Sequence, residues 1–389
     1  MKDDGSTPNA EGPNADAASF EGPNANAASG EFLCHACGGR MEFDASQGCL
    51  SCAFCGAKRA IGEGDVERTI VEYDLEQGLG QQIPRGYGVA VRRVACQQCG
   101  AVVSHGESTT ARSCDFCGSP QVLEQAESRK SIRPESVVPF KVNRQAASAK
   151  FGVWLGTLWL RPSNLKRLAA VSEMTGMYVP YWAFDAMVHS DWTADAGYYY
   201  YETETYTTQD SQGRSVQRTR QVRKVRWRSA WGSRGDVYDD LLVCGSQGLP
   251  QELTRELEPF DTTHLEPYDP SYLAGWKAEE YNIELDAAWR SAVARVEQSQ
   301  RERCSRDVPG DTQRNLHVSN RLSSEKFKHI LLPIWISVYR YQGKPFRFLV
   351  NGQTGEVIGH APWSWIKVTL LVLLIATIVV LLLMMQSQR

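Results

Sequence analysis

The chain has 389 residues, of which 42% are hydrophobic and 22% charged, with a formal net charge of −3 at pH 7. That much apolar sequence can bury a real core and accommodates two or three domains. A near-neutral balance excludes a global electrostatic pull toward nucleic acid.

Residues 1–30 hold a ten-residue repeat, EGPNADAASF followed by EGPNANAASG. Small, polar, Pro- and Gly-rich sequence of this kind cannot bury enough apolar surface to fold, so a disordered tail is expected. No apolar leader opens the chain, which together with thiol chemistry below predicts a reducing, cytoplasmic setting for the N-terminal bulk.

Eight of the eleven cysteines then fall into two sets, Cys34, Cys37, Cys52, Cys55 and Cys96, Cys99, Cys114, Cys117, each position recurring 62 residues later. Each set reads C-x2-C, fourteen residues, C-x2-C, a spacing that folds two knuckles face to face and closes a tetrahedron of thiolates around one zinc. Gly38, Gly56, Gly100 and Gly118 follow the second cysteine of every pair. Glycine there admits the left-handed backbone that a knuckle needs and turns N–H groups toward sulfur. A thioredoxin-like redox pair would be a single C-x-x-C opening a helix, and rubredoxin-like iron usually has more widely separated knuckles. Two structural zinc ions are therefore expected, in ribbons at 31–60 and 93–125 joined by a linker at 61–92. Each ribbon is too short for a core, so metal must supply about 10–16 kcal/mol of folding free energy per site. Cys49 reads as a bystander thiol, Cys244 and Cys304 as ordinary cysteines, and His35 and His105 are not needed as ligands.

Residues 130–360 read as one mixed α+β body rich in antiparallel strands, giving the chain as a whole an α+β class. Asn143 is placed to cap a helix running through Phe151 to Leu155, and Met177 to Asp185 reads as a buried strand. Tyr198 to Thr208 and Val216 to Ala230 read as the arms of a long hairpin across Asp210-Ser211-Gln212-Gly213. Strand alternation puts Arg218, Arg220, Lys224, Arg226 and Arg228 on one face, with Glu202 and Glu204 opposite able to pair with two of them. The face reads first as a solvated hairpin surface; as a functional one, its surplus of positive charge suits anionic lipid headgroups, with an acidic protein or nucleic acid as the other partners it would fit. A second helix is expected from Lys277 to about Arg303, its core stripe formed by Tyr281, Leu285, Ala288, Ala292 and Val296. Ile330 to Tyr341, Phe346 to Val350 and Glu356 to Ile358 read as a closing meander turned at Asn351-Gly352 and Thr354-Gly355.

The chain closes on an anchor at 363–385. Val368 to Met385 carries no charge, long enough for about 27 Å of helix, and Trp363 and Trp365 stand before it as interfacial residues. Lys367 is positioned to snorkel to headgroups. The expectation is a tail-anchored, single-pass protein of the inner membrane with its N-terminal bulk in the cytoplasm. Lys344, Arg347 and Lys367 on the inner side, against Arg389 outside, agree with that orientation.

The two CxxCG ribbons, then SRKSIRPESVVPFKV, GMYVPYWAFDA, the tyrosine-rich hairpin, LEPYDPSYLAGW, FKHILLPIW and FLVNGQTGEVIG before PWSW resemble a bacterial family of two-zinc-ribbon, C-terminally membrane-anchored proteins. Members are often labelled as containing a transcription-factor-IIB-type ribbon or as similar to primosomal protein N′, and related proteins belong to phage-shock-type membrane-stress systems. The resemblance runs from about residue 31 to the anchor. A helicase would need a phosphate-cradling G-x4-G-K-[ST], and the chain has none. Nor is there H-E-x-x-H or G-x-S-x-G, and His264-Leu265-Glu266 lacks the downstream P-C-x-x-C of a zinc deaminase. Four-thiolate zinc leaves no open coordination position for water. The reading is a non-enzymatic adaptor that presents two zinc modules on flexible linkers to protein partners at the membrane, with a membrane-associated nucleic-acid binder as the alternative. The near-neutral ribbons make nucleic acid the less favoured partner.

Overall fold

The computed structural model describes residues 32–61, 69–80, 83, 92–105, 113–125, 131–162, 174–209, 212–342 and 344–387. The tail expected at 1–30, much of the linker at 61–92 and the first half of the Asp210–Gly213 turn lie outside the described residues. In chain order come β1 (Met41–Asp44), β2 (Cys49–Cys52), β3 (Lys58–Arg59), β4 (Tyr73–Asp74), α1 (Leu75–Leu79), β5 (Arg92–Cys96), β6 (Val102–His105), β7 (Val122–Gln125) and β8 (Ser136–Val137). Then follow α2 (Arg144–Thr157), β9 (Met174–Gln209), β10 (Ser215–Cys244), α3 (Gln251–Glu256), β11 (Glu266–Pro267), β12 (Lys277–Glu280), α4 (Leu285–Asp307), β13 (Thr312–Tyr341), β14 (Lys344–Asn351), β15 (Val357–Gly359) and α5 (Trp365–Ser387).

Three very long antiparallel strands organise the body. β9, with 36 residues, pairs on one side with β10 and on the other with β13, giving a blade of about 120 Å contour at roughly 3.3 Å per residue. Its sequence changes character along its length. From Met177 to Phe184 every side chain is buried, as in a strand covered on both faces. From Met187 to Ala194 burial alternates strictly, with Val188, Ser190, Trp192 and Ala194 inward and Met187, His189, Asp191 and Thr193 outward. Beyond Gly197 β13 no longer accompanies it, and the Asp311 carboxylate accepts from the Tyr199 N–H at 2.7 Å, closing the three-stranded part. The last stretch is a free two-stranded hairpin. Irregularities at Tyr238/Leu241, Arg314/His317 and Ser323/Lys326 each contain a residue of positive φ, Asp240, Asn315 and Ser324, the signature of bulges that let such long strands coil.

α4 lies along the alternating stretch. Leu285, Ala288, Ala292, Val296, Gln300 and Cys304 form its buried stripe, meeting Trp182, Phe184 and Phe327 at one end and Trp192 and Ala194 at the other. The helix starts at Leu285 and not at Lys277, because Lys277–Glu280 is drawn into the sheet as β12, between β6 and β9. Tyr281 is buried as expected, but ahead of the helix. The Asn143 cap is in place, its side chain accepting from the Ala146 N–H at 2.8 Å. Part of the linker is structured: β4 pairs with Lys326–Phe327 of β13, and α1 brings Gly78 against the Phe327 ring, where a Cβ would lie 2.3 Å away.

The meander β13–β14–β15 leads to α5 as expected. Along Trp365–Gln386 the helix is apolar, uncovered by the rest of the chain, and long enough to cross a bilayer. Among the described residues it is the one helix with that combination of length and composition.

Candidate metal centres

Each group of four cysteines converges on a point. The ligand atoms of Cys34, Cys37, Cys52 and Cys55 lie within 4.8 Å of one another, and so do those of Cys96, Cys99, Cys114 and Cys117. Sulfur pairs stand at 3.5 Å (Cys34–Cys55, Cys37–Cys52) and 3.6 Å (Cys96–Cys117, Cys99–Cys114). A tetrahedron with Zn–S bonds of about 2.3 Å has edges of about 3.8 Å. Disulfides require S–S of about 2.05 Å, and all eleven cysteines are free. The donor set, four soft thiolates and no oxygen, fits Zn2+. Cys49 belongs to neither group, and Cys244 and Cys304 are buried elsewhere.

One hydrogen-bond pattern builds all four knuckles. The N–H of Gly38, Gly56, Gly100 and Gly118 donates to the carbonyl of Cys34, Cys52, Cys96 and Cys114 at 2.8–3.0 Å. The N–H of those cysteines donates in return to the carbonyls of Gly39, Ala57, Ala101 and Ser119. All four glycines have φ between +68° and +77°, where a side chain would be strained. The glycines thus close the turn rather than reach sulfur themselves. Donation to sulfur comes from other N–H groups of the knuckles, among them Gly39 to Cys37 and Phe116 to Cys114, each at 3.4 Å.

The crowding has an electrostatic consequence. Beside the Cys99 thiol and under burial, Cys114 is held well above the usual thiol range, and burial pushes Cys117 up to about 11. In the first group, N–H donors from Cys55 and Phe54 bring Cys52 down to about 6. Four sulfurs this close resist shared ionisation unless a cation sits among them, and a divalent ion supplies that charge.

The two modules are attached differently. In the first, β1–β3 form a separate small sheet whose Met41, Phe43 and Leu50 join the body's core beside Phe140, Tyr178 and Trp335. The Phe43 N–H donates to the Ala274 carbonyl and the Trp276 indole donates to the Phe43 carbonyl, both at 2.9 Å. In the second, β6 is a strand of the main sheet, hydrogen-bonded to β12. Lys277 reaches both oxygens of Asp115, between Cys114 and Cys117, at 2.8 and 2.9 Å. Arg93 pairs with Glu280 at 2.5 Å, both nearly inaccessible. Neither module hangs free of the body. The expected presentation on flexible linkers gives way because each module's apolar or hydrogen-bonding edge is already satisfied by the body.

The cationic hairpin forms, with Arg218 opposite Tyr206, Arg220 opposite Glu204, Lys224 opposite Tyr200 and Arg226 opposite Tyr198. Lys224 bridges Glu202 at 2.5 Å and Glu204 at 3.5 Å, while Arg220 reaches Glu204 at 3.2 Å. Arg226 and Arg228 lie over the rings of Tyr200 and Tyr198, at 5.3 and 5.8 Å. This face begins about 70 Å of strand contour from the Met174 end of β9, and it is that end from which β14 and β15 lead to α5. Along the blade these cations are therefore far from the start of α5.

A third group, Asp185, Asp239 and Asp240, also brings its oxygens together. The Lys328 ammonium already stands 2.7 Å from Asp240 and 3.0 Å from Glu72, so this group has its cation. Sequence reasoning missed the polar seam of β12, since KAEE carries no period-2 signal. It also missed the contacts of Arg161 and Lys367 at the start of α5.

In comparisons with known proteins, the chain is 27% identical to the uncharacterized protein YdjG of Bacillus subtilis over 346 residues, covering 87% of this chain and 91% of that protein. No family model matches the chain, and no solved structure matches it.

Proposed function

We propose that the protein is a single-pass membrane adaptor of the bacterial two-zinc-ribbon type, with its folded part on the cytoplasmic side of the inner membrane, recruiting protein partners without catalysing a reaction. Membrane stress is the setting its sequence resemblance suggests. The observation that carries the reading is the continuity of one sheet: an uncovered apolar helix leaves it at one end, and an uncovered cationic hairpin extends from it at the other. Two four-cysteine modules near the helix end brace the base of that sheet, and the absence of disulfides suits a reducing compartment. Tethering raises the effective concentration of anything the distal face holds weakly.

The test is affinity capture from crosslinked membranes with the full chain and with Arg220→Gln/Arg226→Gln/Arg228→Gln. Specific protein partners lost in the triple variant support the adaptor; an identical set in both removes the hairpin from it. A nucleic-acid reading draws on the same Arg- and Tyr-rich face. Binding to DNA or RNA that falls steeply with salt, with no protein partner, would favour that alternative.

A further inference from the structure

Lys367, expected to reach for headgroups, is also tied to the chain itself. Its ammonium donates to the carbonyls of Trp159 at 3.1 Å and Arg161 at 2.8 Å, and the Ser364 N–H donates to the Leu160 carbonyl at 3.0 Å. The turn that follows α2 is thereby stitched to the first residues of α5. Within that junction the Arg161 guanidinium lies 3.8 Å from the centre of the Trp363 ring, and its Nη1, shielded from solvent, has no hydrogen-bond partner among the described residues. Trp159, Trp363 and Trp365 are 64%, 56% and 78% exposed around it.

These features describe one chemical target. Three exposed indoles beside the start of an uncovered apolar helix occupy the level at which aromatic residues meet headgroups. A guanidinium this close to an indole face carries a planar fork of donors, suited to a phosphate diester. Lys367 spends two of its three donors on carbonyls, leaving a compact positive charge beside the fork.

We propose that Arg161, Lys367 and the surrounding tryptophans form a headgroup site for an anionic phospholipid where α5 begins. The proposal rests on the reading of α5 as a membrane span. It moves the lipid contact from the distant hairpin to the junction itself, and gives α2 and its following turn a role in seating the body on the bilayer.

The full chain, reconstituted in nanodiscs of phosphatidylcholine with a minor share of phosphatidylglycerol and then extracted in mild detergent, would be examined for retained lipid by native mass spectrometry. Phosphatidylglycerol should be retained selectively, and Arg161→Gln should reduce its retention about tenfold, the size of one lost charge-assisted hydrogen bond. Lys367→Gln should reduce it less, and Arg226→Gln/Arg228→Gln should leave it unchanged. Equal retention in Arg161→Gln, or loss in the hairpin variant, would overturn the site. Displacement by free glycerol phosphate at equal concentration would overturn the lipid as its ligand. Carbonate washing of membranes separates the two levels: a chain that washes off refutes the span and the site together, whereas a chain that stays but retains both lipids equally refutes the site alone.

Discussion

In the first four-cysteine module Cys37 and Cys55 face solvent, and its three strands form a sheet of their own. In the second, Cys99 and Cys117 are half covered, and its strands belong to the body's sheet. Ligand spacing, knuckle hydrogen bonds and glycine conformation are the same in both. The motif thus specifies a cage, while its neighbours decide what depends on the cage. The first docks through Phe43 and Trp276. The second docks through backbone pairing and the ions of β12, so its loss would strip an edge from the main sheet.

The largest effect expected from this difference is on metal removal. A zinc ion held by four thiolates would contribute on the order of 10–16 kcal/mol to its module. Cys114→Ser should lower zinc from two to one per chain and also abolish hydrogen-exchange protection in β12 and the neighbouring part of β9. Cys37→Ser should lower zinc equally yet leave protection of β9, β12 and β13 intact. Matching losses of protection in the two variants would break the comparison.

A smaller effect isolates the buried ion pair at the second junction. Arg93→Met leaves Glu280 uncompensated where both side chains are nearly inaccessible, and should cost about 3–5 kcal/mol. The double variant Arg93→Met/Glu280→Met should recover much of that loss in chemical denaturation. No first-module equivalent exists among the described ion pairs.

The smallest effect is a pH dependence. Burial pushes the Glu279 carboxyl up to about 8, although the Ser246 hydroxyl donates to it at 2.7 Å. The folded chain then keeps a proton that the unfolded chain has released. The corresponding stability is fully present below the ordinary carboxyl value of 4.5 and is lost as pH rises through about 8. Thermal melts from pH 6 to 8.5 should show a decline in the native chain and a flatter profile in Glu279→Gln.

The cysteine spacing, the Asn143 cap, the Met177–Asp185 strand and the two arms of the hairpin were legible because each is encoded by local pattern. The length of the blade was not. Thr312–Lys328 is largely polar and Met187–Ala194 half polar, and their pairing with each other under α4 makes them strands. Lys277–Glu280 has helix-favouring composition, but Asp115, Arg93 and Ser246 satisfy its charges in a sheet, and tertiary context overrides propensity. How the modules dock was likewise invisible, since Trp276 meets Phe43 across 233 positions of sequence.

The span of β9 has an electrostatic corollary. Ionic screening at physiological salt extinguishes the influence of an exposed charge within a few lengths of about 8 Å, whereas roughly 70 Å of strand lies between its Met174 end and the first of the hairpin's cations. Arginines near the tip and those beside the apolar helix therefore do not sense one another's occupancy through the solvent. Any communication between the two ends has to be mechanical, carried by the twist of the strands.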